Sequence, residues 1–424
     1  MEFIKFSESF SEIGQTVDCF YSFFFIEQQL CSVHRRHRLF SYENWPKTEE
    51  ENVSQVIYTT YREKDYSKPI SEEVLYSGND PRVISNGKKA YVLSQGSLHS
   101  KTPYYLTILP DNETIQLRLG KRVQLGKNWQ PYLDKNVLFV VDSVSPFRIN
   151  KIDIETGVVS LIQEAPIDFN LIAMHDNYSI LRGGSNALVE NKIVYGWGHA
   201  TTRPYSHIPY VWELNEDQVS VSFFHIHSVF KEHGYNITDP TSFFSWDDEH
   251  FALGVSCSQR DWFHSQWFLN GLLIFKKEDF FNKKLPKFTF ESKVKSFFFH
   301  TTDLDSLIKS SHINGGRINN GQKGCLVCGP SKEIDITKKW TIELCYSSTN
   351  KSTTNVGYFD ILLNIDGKEQ QVVHRKIYGT LGKSTRVKLF FENVSTHSKA
   401  LIQTRVFTKK RKSVTAYYFE LTDE

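Results

Sequence analysis

The sequence predicts an all-β protein, a five-bladed β-propeller followed by a C-terminal β-sandwich of the jelly-roll type. Aromatic residues make up 14% of the 424 residues, and such residues favour pleated, half-buried surfaces. A polar turn followed by an apolar run recurs through the first two thirds of the chain, at a spacing typical of propeller blades. After residue 316 the pattern changes to a clean alternation of apolar and polar residues, which is typical of antiparallel strands.

The repeated apolar runs begin at residues 30, 90, 137, 193 and 251, with separations of 60, 47, 56 and 58 residues. One four-stranded blade needs roughly 40–50 residues. We therefore expect these residues to begin equivalent strands in five successive blades. No sustained helical period is present up to about residue 290. One or two β-sandwiches are the alternative for this part of the chain.

Three segments divide the chain. Residues 1–298 hold the repeats and are predicted to form the propeller. Residues 299–315 contain apolar positions at helical spacing and end at Gly315-Gly316, so a linker with a short helix is expected there. Residues 316–424 are predicted to form the β-sandwich.

Charge and apolar patterning exclude several classes of function. Lys and Arg number 50 against 48 Asp and Glu, a net charge of +2, which provides no bulk field for nucleic acid or anionic membranes. Apolar runs such as Phe23–Ile26 and Leu272–Phe275 are far shorter than the ~20 residues of a membrane span. The first residues lack the pattern of a secretory signal, and six cysteines are sparse. We expect a cytoplasmic protein with reduced thiols.

The residues that begin the innermost strand of each blade are expected to point into the central channel, where propellers place ligands. Three such segments are rich in polar residues. They are Asn79-Asp80-Pro81-Arg82, Gly126-Lys127-Asn128-Trp129-Gln130-Pro131 and Arg182-Gly183-Gly184-Ser185.

In this order, the three segments resemble motifs of the five-bladed propellers of glycoside hydrolase family 130, the mannoside phosphorylases, and of related mannosyltransferases. Tyr195-Gly196-Trp197-Gly198-His199 and the turn that holds Asp261 extend the resemblance over residues 15–280. The resemblance implies glycosyl transfer or phosphorolysis on a mannose-like sugar. It also implies a sugar phosphate or nucleotide sugar as donor, a glycan as acceptor, and no cofactor.

Two positions depart from the pattern of that family. Asn79 stands where relatives carry Glu, and Gly126 stands where they tend to carry an acid. Glycine cannot transfer a proton. If the propeller is catalytic, another carboxylate must do so, with Asp261 the first candidate, Asp80 the second and Asp142 a further one. The competing function is a non-catalytic propeller that binds a glycan or a protein.

The remaining candidate site residues are cations and sugar-contacting side chains. Arginine is the better bidentate clamp for phosphate. The predicted substrate-binding residues are Arg82, Lys127, Asn128, Trp129, Arg182, His199, Arg203, His207 and Arg260. The structural alternative is a hydrogen bond to neighbouring carbonyls for the arginines, a solvated hairpin for His199 and His207, and a place in the aromatic core for Trp129. The basic run at residues 34–38 is a further candidate anion site.

No metal site is predicted. His225 and His227 are expected on one face of a strand, and Cys325 and Cys328 have the spacing of half a zinc knuckle. Neither pair comes with an evident full set of ligands.

Overall fold

The structure, a computed structural model, forms two compact units, Met1–Glu291 and Ser292–Glu424. It describes residues 1–12, 14–40, 54–62, 65–96, 104–123, 128–165, 178–202, 206–259, 265–293, 296–300, 310–313, 316–329, 332–392 and 399–423. These residues are nearly all β, arranged in several sheets. The all-β prediction is therefore confirmed at this level.

The first unit is built from successive antiparallel groups of strands, preceded by β1 (Glu2–Glu12). Group 1 consists of β2 (Thr16–Ile26), β3 (Gln29–Arg38), β4 (Ser54–Arg62) and β5 (Asp65–Ser77). Group 2 consists of β6 (Asn79–Ser85), β7 (Ala90–Gln95), β8 (Tyr104–Leu109) and β9 (Glu113–Gln116). In both groups each strand pairs with the next one along the chain.

Groups 3 and 4 repeat this order. Group 3 consists of β11 (Gln130–Asp134), β12 (Val137–Val144), β13 (Phe147–Ile152) and β14 (Val158–Ala165), with the short β10 (Arg118–Leu119) parallel to β14. Group 4 consists of β15 (Tyr178–Glu190), β16 (Ile193–Thr202), β17 (Ser206–Asn215) and β18 (Gln218–Phe223).

Group 5 takes its strands from both ends of the unit. Helix α1 (Ile226–Glu232) leads into β19 (Ile237–Ser245), β20 (His250–Gln259), β21 (Ser265–Lys276) and helix α2 (Lys277–Phe281). The fourth strand is β1, which pairs antiparallel with β21 from Glu2–Ile274 to Glu12–Ser265.

The first strands of the five groups contact one another in a closed circle: β2 contacts β6, β6 contacts β11, β11 contacts β15, β15 contacts β19, and β19 contacts β2. Buried polar side chains link these strands. The hydroxyl of Ser22 on β2 lies 2.9 Å from the carbonyl oxygen of Pro81 on β6 and 2.6 Å from that of Thr241 on β19. One side chain therefore joins three groups.

The five apolar runs of the sequence begin in the second strand of each group, β3, β7, β12, β16 and β20. The polar turns before three of them are two-residue hairpins with positive φ, at Glu27-Gln28, Lys135-Asn136 and Asn191-Lys192, as type I′ turns require. Groups 4 and 5 share one eight-stranded sheet, because a single parallel pair, His207 with Ile237, connects them. The strands that contain residues 193 and 251 therefore belong to one sheet, which does not fit five separate blades.

Helix α1 corrects the expectation that His225 and His227 lie on a strand. His225 is the N-cap residue and His227 lies in the helix. Ile226 and Phe230, spaced i and i+4, are both buried, and that spacing places them on one helical face. The helix is too short to give a sustained period in the sequence.

The second unit contains two sheets. One consists of β22 (Ser296–His300), β23 (Ser311–Ile313), β24 (Gly316–Ile318), β27 (Trp340–Ser347), β30 (Thr385–Phe391) and β32 (Thr415–Asp423). The other consists of β25 (Gly324–Cys328), β26 (Lys332–Asp335), β28 (Asn355–Ile365), β29 (Lys368–Tyr378) and β31 (Lys399–Thr408). Buried residues of both sheets, such as Leu344 and Phe359, belong to one hydrophobic cluster.

The second unit begins at Ser292, before the predicted propeller end at residue 298. β22 pairs with β32, and β23 pairs with β24, so strands lie within or next to the segment assigned to the linker. The helix expected around residues 303–309 falls outside the described residues. No helix in the described part of the chain is long and apolar enough to span a bilayer.

Candidate functional site

The candidate site lies where the first strands of the groups begin. In four of the five groups, the pairing of the first strand with the second shifts register near this point, as between Asn79 and Arg82 on β6 and between Pro240 and Ser242 on β19. Such β-bulges turn side chains away from the regular alternation. Asp80 has a φ of 47°, an uncommon value for a non-glycine residue. The backbone therefore deviates from regular strand geometry at the predicted site.

Two carboxylates of the site are held by arginines of β3. Asp18 on β2 accepts two hydrogen bonds from Arg36, at 2.7 and 2.8 Å. Asp80 on β6 accepts one from Arg35 at 3.0 Å. The side chains of Asp18 and Asp80 are 29% and 16% exposed to solvent, so a ligand can reach both. The basic run at residues 34–38 thus binds carboxylates of the chain itself.

Cys19 lies among three carboxylates from three different groups. Burial raises the pKa of its thiol well above the ordinary range. The guanidinium of Arg35 opposes this rise, and the charges of Asp80, Asp18 and Asp239 add to it. β2 contacts both β6 and β19, and Ser22 links Pro81 to Thr241, so the segments that hold the three carboxylates are neighbours.

Arg82 is fully buried and has structural hydrogen bonds, as the alternative reading expected. Its guanidinium donates to the carbonyl oxygen of Gly184 on β15 and, at 2.8 Å, to that of Pro81. It also lies 5.9 Å from the ring centroid of Phe20. Arg82 therefore joins group 2 to group 4, and these hydrogen bonds reduce its capacity to bind a ligand anion.

Gly183 allows groups 3 and 4 to approach closely. A Cβ atom on Gly183 would lie 2.1 Å from the carbonyl oxygen of Asn128 and 2.9 Å from the side chain of Gln130. Gln130, fully buried, donates hydrogen bonds of 2.9 Å to the carbonyl oxygens of Ser185 and Trp197. Close packing of the backbone thus requires glycine at residue 183. Asn128 contacts this glycine through its backbone carbonyl oxygen.

Trp129 belongs to the core. Its ring is stacked on that of Tyr104, with 3.9 Å between centroids, and only 2% of the residue is exposed. A buried ring cannot serve as a stacking platform for a sugar, so this substrate-binding assignment is not supported by the geometry. Arg182 is exposed, and its carbonyl oxygen accepts a hydrogen bond from Tyr210.

His199 and His207 lie together on the hairpin of β16 and β17, with ring centroids 4.3 Å apart. Both approach the carboxylate of Asp239 on β19. His207 Nδ1 donates to Asp239 Oδ1 at 2.8 Å, and His199 Nδ1 lies 3.3 Å from the same oxygen. All three residues are buried, and in the described part of the chain they form the one group whose ligand atoms are close enough to hold a metal ion.

The electrostatics of this group follow from burial and neighbouring charges. Burial, together with the positive charges of His207, Arg182 and Arg82, lowers the pKa of His199 to about 3, although Asp239 opposes the change. Burial alone would raise the pKa of Asp239. The two histidines and Arg82 outweigh it and hold that pKa well below its ordinary value. At neutral pH the group therefore contains a carboxylate and a neutral His199 ring.

The structure brings together Asp80, Arg82, Arg182, His199 and His207 of the predicted site. Lys127, Arg203, Arg260 and Asp261 lie outside the described residues, so their assignments stay predictions. Asp142, the further acid candidate, is buried beside Arg148 in group 3, with 3.4 Å between Arg148 Nε and the carboxylate.

Sequence reasoning missed Asp18 and Asp239. Asp239-Pro240 at the start of β19 repeats the Asp80-Pro81 pair at the start of β6, and that repetition was the available signal. Asp18 follows no such pattern. Its place in the site depends on the pairing of β2 with β3, which brings Asp18 opposite Arg36.

Comparisons with known proteins give no family. No family profile matches the sequence, and no curated protein matches it. Solved structures that align with the chain include a glycosyl hydrolase from Bacteroides ovatus, with 7% identity over 63% of this chain and 86% of that one and a TM-score of 0.44. A glycoside hydrolase family 43 arabinoxylan arabinofuranohydrolase from Bacillus subtilis, in complex with cellotetraose, aligns over 97% of both chains with 10% identity and a TM-score of 0.39.

A sialidase from Trypanosoma rangeli, in complex with sialic acid, aligns over 97% of this chain and 91% of that one, with 8% identity and a TM-score of 0.34. These neighbours are carbohydrate-active enzymes. At such low TM-scores the similarity assigns neither an activity nor a substrate to this chain. The resemblance to glycoside hydrolase family 130 stays a prediction.

Proposed function

We propose that this chain is a carbohydrate-active enzyme whose substrate binds where the first strands of the five groups begin. The observation that carries the proposal is the presence of three carboxylates on neighbouring first strands, where Arg35 binds Asp80, Arg36 binds Asp18 and His207 binds Asp239. The three carboxylates come from three separate groups, and each of them has a basic partner. Such an arrangement is typical of a site that binds polar ligands and performs chemistry on them.

Asp18 and Asp80 are the carboxylates best placed to act on a sugar. Glycosidic bond cleavage commonly uses two carboxyl groups that flank the reacting carbon, one of them ionised and facing an oxocarbenium-like transition state. Asp18 and Asp80 are partly exposed and each is bound by an arginine. We assign them the roles of nucleophile, base or electrostatic stabiliser, and keep Asp261 as the candidate acid.

The finer proposal is glycosyl transfer or phosphorolysis on a mannose-like sugar with a phosphorylated or nucleotide-activated donor. It is supported by the sequence resemblance and by the cationic side chains at the site. Arg182 is the first choice to bind the donor phosphate, because it is exposed and close enough to His199 to lower the pKa of that ring. Arginine matches the bidentate geometry of phosphate.

For the architecture we propose a five-bladed propeller in the first unit and a β-sandwich in the second. The circle of contacts among β2, β6, β11, β15 and β19 supports the propeller. The single cluster shared by two sheets supports the sandwich, which we assign an accessory carbohydrate-binding or packing role. A cytoplasmic location is proposed from the six free thiols.

The test is turnover of candidate donors by the purified chain and by Asp18→Asn, Asp80→Asn and Asp261→Asn. The donors are mannose 1-phosphate and nucleotide-activated mannose, with short mannosides as acceptors. Each substitution keeps the size of the side chain and removes its charge. For a catalytic carboxylate we expect sugar binding to persist while turnover falls by ~10²-fold or more.

The matched control is Asp111→Asn, which removes a carboxylate that is paired with Lys89 at 2.8 Å and half exposed in a turn of group 2. It should leave turnover unchanged. Wild-type turnover that survives in all three site variants would overturn the residue assignments. Sugar binding without turnover by the wild type with every donor would replace the enzyme by the glycan-binding alternative.

A further inference from the structure

We propose that His199, His207 and Asp239 form a binding site for a transition-metal ion of the zinc class. The inference goes beyond the proposed sugar chemistry and does not depend on it. It begins from the strand register. His199 and His207 lie on neighbouring strands, where His199 pairs with Pro209 and Thr201 pairs with His207. The only bridge between groups 4 and 5 in the described sheet, His207 with Ile237, brings Asp239 alongside.

The geometry suits a metal. All three side chains offer a ligand atom, and these atoms lie within 4.8 Å of one another. In a tetrahedral zinc site with bonds of about 2.0–2.1 Å, two ligand atoms are about 3.3 Å apart. His199 Nδ1 and Asp239 Oδ1 are separated by 3.3 Å. Small side-chain rotations therefore suffice to complete the coordination.

A second observation is the unsatisfied ring of His199. The residue is 3% exposed, and neither of its ring nitrogens has a hydrogen-bond partner among the described residues. Leaving a buried polar group without a partner costs about 1–3 kcal/mol, and such groups in folded proteins call for an explanation. A metal that accepts the lone pair of Nδ1 removes this cost.

The donor atoms select the class of ion. Arg82 and Arg182 act on His199, and their positive charges oppose every divalent cation alike, so they do not distinguish one ion from another. Imidazole nitrogen instead forms strong bonds with zinc, cobalt and nickel, whereas magnesium and calcium prefer oxygen ligands. With two histidines and one carboxylate, a fourth position remains for water or for an oxygen of a ligand. Coordination through His207 Nδ1 requires that the ring proton lie on Nε2, so the hydrogen bond from Nδ1 to Asp239 is replaced by bonds from both atoms to the metal.

The experiment is metal binding by the full chain after treatment with a chelator, without any turnover assay. Zinc binding is measured by calorimetry, and cobalt is used as a spectroscopic probe of tetrahedral coordination. Cys325→Ser and Cys328→Ser are introduced throughout to remove the thiol pair in β25. We expect one equivalent of zinc or cobalt and a rise in Tm with zinc concentration, with no stoichiometric binding of magnesium or calcium.

His199→Gln and Asp239→Asn should each abolish the binding of this one equivalent of zinc or cobalt. The control is His250→Gln, since His250 also contacts a carboxylate, that of Asp247 at 2.9 Å, but lies at the start of β20 with 31% of its side chain exposed. Retention of full binding by His199→Gln would overturn the site, as would the absence of stoichiometric zinc or cobalt binding in the parent chain. If the substitutions disturb folding, the proposal is tested by the rise in Tm of the parent chain with zinc concentration. A Tm that does not respond to zinc refutes the proposal.

Discussion

Asn186 joins two first strands with its side chain, and its replacement tests the closed circle of contacts. On β15, Asn186 donates to the carbonyl oxygen of Phe243 on β19 and accepts from the backbone N–H of the same residue, both at 2.7 Å. Asn186 is 2% exposed and Phe243 is fully buried. The amide thereby replaces the backbone pairing that β15 and β19 lack.

The substitution Asn186→Ala leaves the N–H and the carbonyl of Phe243 without their partner. Each buried group that loses its hydrogen bond costs about 1–3 kcal/mol. Two such groups give a loss of about 2–6 kcal/mol in the free energy of unfolding, before any cost of the cavity. This is a large fraction of the ~5–15 kcal/mol that stabilises a typical domain.

The matched control is Asn150→Ala in β13. Asn150 is fully buried, and its amide has no hydrogen-bond partner among the described residues. The two substitutions remove the same atoms, so the difference between them isolates the hydrogen bonds to Phe243. Urea unfolding followed by tryptophan fluorescence reports mainly the first unit, since seven of the eight tryptophans precede residue 291. Equal destabilisation by both substitutions would refute this account of Asn186.

Two further predictions concern packing and pH. Gly183→Ala should lower Tm more than Gly87→Ala, because the new Cβ atom at residue 183 meets the Asn128 carbonyl. At Gly87 the cost is limited to the positive φ, since nothing lies within 4 Å. Equal shifts of Tm would contradict the close approach of groups 3 and 4. Burial lowers the pKa of His34 to about 4. The free energy of unfolding is therefore highest above pH 6.5 and declines as the pH falls towards 4. At pH 5 the decline is about 2 kcal/mol. The variant His34→Phe keeps an aromatic ring stacked on Tyr21. Denaturation should show that its free energy of unfolding falls less between pH 7 and pH 5 than that of the wild type. An equal fall in both proteins would refute the role of His34.

The repeat was predictable because it depends on local signals. A polar turn and the apolar strand after it lie next to each other in the sequence, and the turns at Glu27-Gln28 and Asn191-Lys192 adopt the positive φ values that two-residue hairpins need. The second strands of all five groups could therefore be placed. Helix α1 could not, since Ile226 and Phe230 provide only one helical repeat.

The site was predictable only in part, because its contacts join distant parts of the chain. Arg82 was singled out by sequence, but its bond to Gly184 depends on two strands about 100 residues apart. Asp18 has no distinguishing motif and belongs to the site through Arg36. Trp129 was assigned to a sugar, whereas packing against Tyr104 buries it. Nothing in the order of residues distinguishes a channel-facing aromatic ring from a core one.

The pairing of β1 with β21 has a consequence for biosynthesis. Glu2 pairs with Ile274, so β1 leaves the ribosome about 270 residues before its partner strand. At about 5–20 residues per second, this delay is on the order of 10–50 seconds. During that time β1 has a free edge that can pair with other chains. Nascent copies on one polysome are therefore exposed to strand exchange, and a chaperone that shields residues 2–12 would act at the step where the yield of folded protein is decided.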